Sequence, residues 1–208
     1  MTSLTRSDYR HVLDVLRAAG DVGGANPFPE RVLEALRRLV PCDVVAYHER
    51  REPFQAPEIV YAGEPRGSMT PAIRAAHRRY RNEDPLVPGE GARKYSDFLS
   101  RREYHHLGLY QEADRPLGIE YMMRLWLDPR GAGRARLEFD RAGPDFNERD
   151  RAVLDLLLPH LRQFRRSAII RRRPHPPPIA RAWSRRGSAR SSNTSPRDGR
   201  MRRWRLCS

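Results

Sequence analysis

The sequence predicts an α+β fold: an antiparallel sheet with flanking helices and a long closing helix, followed by a basic tail. Three observations carry this. Helical apolar periods lie in front of and behind two pairs of short β-prone stretches instead of alternating with single strands, which argues against a βαβ layout. The stretch from Asp145 to Arg173 holds the longest helical period in the chain. After Ile170 that period stops. With 38% hydrophobic residues and a mean hydropathy of −0.79, part of the chain is expected not to fold.

The elements follow in order. Ser7 to Ala19 reads as a helix capped by Ser7, with Tyr9, Val12, Leu13 and Leu16 on one face and Gly20 at its end. Pro29 opens a second helix carrying Val32, Leu33, Leu36 and Leu39, stopped by Pro41. Asp43–Glu49 and Glu58–Ala62 are predicted strands about a Pro-containing turn. Thr70 caps a third helix over Pro71–Tyr80. The segment NEDPLVPGEGARK is predicted to be loop, Ser96 to Tyr110 a short helical region, and Arg115 to Gly118 a turn. Ile119–Leu127 and Ala135–Phe139 form the clearest strand pair, with Asp128-Pro129-Arg130-Gly131 supplying turn chemistry.

In the closing stretch Asn147 takes the N-cap position, and Asp150 follows at capping-box spacing. Acidic residues occupy the first turn and arginines the last, as the helix macrodipole favours. Val153, Leu157, Leu161, Phe164 and Ala168 make one apolar seam. Leu154, Leu156 and Leu158 add more apolar surface than one packed face requires, so Leu154, Leu156, Leu158 and Leu161 are expected to serve a dimer helix. Pro159 predicts a kink.

The formal charge of +14 belongs mainly to the tail. From Arg171 onward, twelve arginines face one acid, Asp198, which leaves about +3 for the body. Cys42 and Cys207 fit neither a disulfide framework nor a metal site, and a reducing cytoplasm is expected. No stretch has the roughly 18 apolar residues of a membrane span and the N-terminus has no signal-like apolar region, so a soluble protein without a membrane partner is expected.

No catalytic constellation emerges. His105 and His106 are adjacent and point apart on a helix. Gly89 to Lys94 lacks the spacing of a phosphate loop, and H-E-x-x-H and C-x-x-C spacings are absent. Glu83-Asp84 reads as a helix terminator and Ser96-Asp97 as a cap. No enzyme activity, metal or cofactor is predicted. Tyr47, Tyr61, Phe98, Tyr104 and Trp126 are core candidates first; if the domain holds a small molecule, they are the expected walls of its pocket.

Three stretches, LEALRRLVPCDVVAYHE, KYSDFLSRREYHHLGLYQEADRPLGIEYMMRLWL and FNERDRAVLDLLLPHLRQFRRSA, resemble the GAF-like N-terminal regions of LuxR-type transcriptional regulators from GC-rich bacteria. The resemblance spans roughly Leu33 to Ala168, and SDFLSRREYHHLGLYQE…RPLG is its most specific part. It implies a GAF/PAS-like sheet over residues 1–170, a sensor domain with closing helix 147–170, a small-molecule ligand and a homodimer. It further implies a C-terminal helix-turn-helix domain that binds DNA, its second helix in the major groove.

Residues 171–208 contain no apolar-periodic helix pair, and a disordered Arg-, Pro- and Ser-rich tail is expected there. Back-translating Ser188 to Arg205 with permitted codons and starting one base earlier yields EREVLEHLAAGRTNAEMA. This resembles the opening of a LuxR-type helix-turn-helix, so the tail reads as its out-of-frame remnant. Two other readings compete. One is a stand-alone small-molecule-binding module; the other is a nonspecific nucleic-acid binder working through the arginine tail, with Trp183 and Trp204 stacking on bases.

Overall fold

A computed structural model describes residues 3–50, 57–64, 67–128 and 135–172. The expected turn residues 129–131 and, of the tail expected over 171–208, residues 173 onward with the disorder expected of them lie outside the described residues; Arg171 and Arg172 belong to the closing helix instead. The core of the fold is a five-stranded antiparallel sheet of order β2-β1-β5-β4-β3. Its strands are β1 (Val44–Glu49), β2 (Glu58–Gly63), β3 (Ala92–Lys94), β4 (Tyr121–Trp126) and β5 (Ala135–Arg141).

One face of the sheet is apolar. Val45 and Tyr47 of β1, Met123 and Leu125 of β4, and Leu137 and Phe139 of β5 merge with helices α1 (Arg6–Gly20), α2 (Glu30–Leu39) and α5 (Glu148–Arg172) into the main core. The other face is covered by α3 (Pro71–Arg79), α4 (Arg101–His106), a π-helical turn (Tyr110–Asp114) and two short 3-10 turns (Tyr95–Asp97 and Arg115–Leu117). Their side chains form a second, smaller core around Ile73, Leu86, Tyr95, Tyr104, Leu109 and Met122. This antiparallel sheet with flanking helices and a long closing helix is the α+β arrangement expected from the sequence.

The helix starts explain themselves locally. α1 is capped by Thr5, whose hydroxyl accepts from the Asp8 amide at 3.2 Å while the Asp8 carboxylate accepts from the Thr5 amide at 2.7 Å. This corrects the expected Ser7 cap, and the α1 face shifts with it. Asp8 is drawn inward by Arg149 of α5 (Nε–Oδ1 2.9 Å), which buries Asp8, Val12, Val15 and Ala19. Tyr9 and Leu13 consequently stand 52% and 51% exposed. α5 opens as predicted: the Asp150 amide donates to Asn147 Oδ1 at 2.9 Å and the Asn147 amide to Asp150 Oδ2 at 3.2 Å.

α5 continues through Pro159, which lies on its exposed side and does not stop the helix. The expected dimer set is corrected. Leu154, Leu158 and Leu161 are buried in the main core, and of the expected dimer set only Leu156 is exposed, at 43%. The buried arc is wide because α5 is flanked on both sides. Arg149 reaches α1, and Asp155 accepts the Ala92 amide of β3 at 2.7 Å. That same bond helps explain why Ala92–Lys94, expected as loop, is an edge strand: Gly91 turns the chain at φ 71° and Asp155 then satisfies the first amide.

Candidate functional site

The second face of the sheet is polar, and the register arranges it in rows. Trp126, Arg136, His48 and Ile59 lie side by side across β4, β5, β1 and β2. The next row is Arg124, Glu138, Ala46 and Tyr61, and the third is Met122, Asp140, Val44 and Gly63. Antiparallel neighbours point to one face, so the charged groups of β4 and β5 converge beneath α3 and the α4 region.

Arg124 is the hub. Its side chain is 5% exposed and lies 2.8 Å from Glu138 Oε2 and 2.7 Å from Asp84 Oδ2. It also donates to the Leu86 carbonyl at 3.0 Å, so one guanidinium clasps the loop after α3 onto the sheet. Burial works against its charge, but the Glu138 and Asp84 carboxylates hold its pKa above the ordinary arginine value. Burial likewise opposes ionisation of Glu138, and Arg124 and Arg136 overcome it and hold that carboxyl well below its usual range. His48 sits with Nε2 3.6 Å from Glu138 Oε1; burial, then Arg136, depress its pKa to about 3, so the imidazole is neutral.

Two further carboxyls have no cationic partner of their own among the described residues. Asp114, in the π-helical turn, accepts from the Tyr104 hydroxyl at 2.8 Å on Oδ2. Burial raises its pKa to about 7, with Glu138 and Asp84 pushing the same way. Asp140 is raised well above the ordinary aspartate value by burial, then by Glu138 and Asp114. Asp114 Oδ1, Asp140 Oδ1, Trp126 Nε1 and His48 Nε2 are all buried without a hydrogen-bond partner among the described residues. Among the described residues no group of three or more His, Cys, Asp or Glu is placed to hold a metal ion.

The aromatic residues expected to wall a pocket do not come together. Tyr47 points into the helix-side core, its ring 4.8 Å from Phe28. Tyr104 is buried on the opposite side of the sheet, and Trp126 lies on the polar face with Arg136 5.5 Å from its ring. Tyr61 is 56% exposed on edge strand β2, and Phe98 is exposed under Arg93. Of the five expected wall residues only Trp126 and Tyr104 lie on the polar-face side of the sheet, near the charged residues of β4 and β5. Glu83 and Asp84 are structural fasteners, Glu83 accepting the Leu109 amide at 2.9 Å and Asp84 holding Arg124. Asp97 caps as expected, its carboxylate accepting the Lys94 amide at 2.8 Å.

No protein family and no curated protein matches the sequence. Solved structures do match the fold. The LBD domain of VqsR from Pseudomonas aeruginosa is similar with a TM-score of 0.54 at 17% identity, over 80% of this chain and 98% of that one. The N-acylhomoserine-lactone-dependent LuxR-family transcription factor CepR2 from Burkholderia cenocepacia gives 0.52 at 16% identity, over 81% and 98%. The photosensory core module of a Stigmatella aurantiaca phytochrome gives 0.53 at 12% identity; the match covers 80% of this chain and 38% of that one. No helix among the described residues is long and apolar enough to cross a membrane. The chain thus shares its fold with the VqsR LBD domain, with CepR2 and with part of the phytochrome photosensory core module.

Proposed function

We propose that this chain is the sensor part of a LuxR-type transcriptional regulator that acts in the cytoplasm as a homodimer. The observation that carries the reading is the fold it shares with CepR2 over nearly the whole of that chain, in a sequence that independently resembles LuxR-type regulators from Leu33 to Ala168. In this reading a small molecule settles on the polar sheet face and biases the relation of the two closing helices. The dimer surface is the flank shared by α1 and α5. Tyr9 and Leu13 of α1 and Leu156 and Ile170 of α5 are exposed, and the two helices are tied by the Asp8–Arg149 ion pair. The DNA-binding domain is the helix-turn-helix whose opening appears in the shifted frame of residues 188–205. The nucleotides of the gene test this: the neighbouring frame should stay open well past the codon for Ser208 and encode a recognition helix. An early stop there removes the frame change. With the frame restored, the protein should retard a specific promoter fragment at salt where the 208-residue chain binds it no better than random DNA.

A stand-alone small-molecule-binding module is the second reading, favoured by the lack of an apolar-periodic helix pair in residues 171–208 as written. Mass spectrometry of a ligand extracted from the purified chain serves both readings; specific retardation of a promoter fragment by the frame-restored protein favours the regulator, and its absence favours the stand-alone module. Nonspecific nucleic-acid binding through the arginine tail predicts an affinity that falls steeply with salt and ignores sequence.

A further inference from the structure

On the helix side of the sheet, where α1 ends and α5 makes its last turns, the domain holds a cavity of about 200 Å³. Phe164, Ser167 and Arg171 of α5 form one wall, and their spacing of three and four sets them in line on a single helix face. Ala19 at the end of α1 and Val22 and Pro27 of the connection to α2 form the other. Ala19 and Val22 are buried, so the floor is apolar. An apolar cavity of about 150 Å³ takes up benzene, which makes this space that of one ring with a small substituent.

The polar side of the cavity has one sign. Arg171 donates from Nε to the Gly24 carbonyl at 3.1 Å, and its two terminal nitrogens meet no partner among the described residues. Other arginines of α5 are met by acids: Arg162 by Glu90, and Arg165 and Arg172 by Glu49. Arg171 has no carboxylate among the described residues. Its Nε bond anchors the guanidinium and leaves the Nη edge, whose paired donors clasp a carboxylate in two parallel hydrogen bonds. The Ser167 hydroxyl, one turn earlier, adds a further donor. The C-terminal pole of α1 opposes an anion with about half an elementary charge, less than the full charge on Arg171.

We propose that this cavity binds a single-ring aromatic monocarboxylate, its ring among Val22, Pro27 and Phe164 and its carboxylate on the Nη edge of Arg171, with the Ser167 hydroxyl donating as well. An ammonium ligand would face the guanidinium without compensation, and a neutral ring would leave it unmatched. The site is separate from the polar sheet face and stands whether or not the chain controls a promoter. Its walls are α5 and the connection between α1 and α2, the same two elements that Arg171 bridges through Gly24. A bound acid therefore strengthens the hold on the last turns of α5.

Benzoate, benzyl alcohol and benzylammonium form a test series of one ring with negative, neutral and positive charge. Calorimetric titration of the full chain at matched ionic strength should show one saturable benzoate site, with the other two weaker by at least about tenfold. Benzoate should also raise the melting temperature, and its ring protons should show nuclear Overhauser contacts to the Val22 methyl groups. The arginine-rich sequence after Arg172 attracts any anion, so point variants locate the site. Arg171→Gln should weaken benzoate by at least about tenfold, and Ser167→Leu, which fills the cavity, should abolish its binding. Arg166→Gln, at an exposed arginine outside the cavity, should leave it unchanged. Benzoate affinity retained in Arg171→Gln overturns the assignment even if Ser167→Leu fails to fold, and the absence of a saturable site in the parent chain does so directly. Benzyl alcohol or benzylammonium binding as tightly as benzoate refutes the carboxylate class. The regulator reading is judged separately by the nucleotides of the gene.

Discussion

Replacing Arg124 by Met tests the electrostatic organisation of the sheet face most directly. The methionine keeps most of the aliphatic volume but removes the guanidinium that touches Glu138, Asp84 and the Leu86 carbonyl at 2.7–3.0 Å. Removing one partner of a buried ion pair costs about 3–5 kcal/mol, because the remaining charge is left without compensation. Glu138 keeps Arg136 at 3.0 Å, and Asp84 is 24% exposed in its side chain and regains water, so the loss belongs toward the lower end. For a domain of this size the fall in melting temperature is about 6–20 °C. Equilibrium denaturation in urea gives the free-energy change, and hydrogen exchange gives its location. Amides from Glu83 to Val87 should exchange faster, since the clasp on their loop is gone. The double variant Arg124→Met, Glu138→Leu should recover at least half of the loss, as apolar replacement of a buried pair is close to neutral. A single variant that loses under about 1 kcal/mol, or a double variant no more stable than the single, would refute the view of Arg124 as the hub.

Four further outcomes are expected. Leu156→Glu should give monomers in sedimentation with an unchanged melting temperature, whereas Leu154→Glu should abolish folding, because the first side chain is exposed and the second is in the core. Asn147→Ala should cost about 1 kcal/mol through loss of the α5 cap. Asp114 has its folded pKa raised from 3.8 to about 7, so its contribution to stability is fully present at low pH and declines by about 4 kcal/mol as pH rises through that window; Asp114→Asn should remove this component from a stability-versus-pH curve. Deleting residues 174–208 should leave the thermal transition unchanged, and a large loss would show that the tail packs.

The fold was legible where local chemistry and periodicity agree. The Asn147–Asp150 box, the Val32, Leu33, Leu36, Leu39 stripe of α2 and the β4–β5 pair all appear at their expected positions. What escaped depends on distant partners. The inward turn of Asp8 requires Arg149, 141 residues away, and β3 requires Asp155, 63 residues from Ala92. The site was less legible, since its members alternate with apolar residues along β4 and β5. Arg124 and Trp126, like Arg136, Glu138 and Asp140, have the pattern of a solvated strand face, and only the cover from α3 and the α4 region buries them. The available signal was charge pairing: opposite charges at period two on neighbouring strands, Arg124 beside Glu138.

Glu49 ends β1 on the side facing α5, where it meets Arg165 at 3.1 Å and also Arg172. Arg171 and Arg172 in addition hold the carbonyls of Gly24 and Ala25 at 3.1 and 2.5 Å. The last turns of α5 are thereby riveted to the rim of the sheet and to the connection between α1 and α2. One peptide unit earlier, His48 faces the polar side. A strand is stiff along its axis, so β1 works as a short crossbar through the sheet. His48 and Glu49 are neighbours in β1, so a displacement of the strand on its polar side is expected to reach the contacts that hold the last turns of α5.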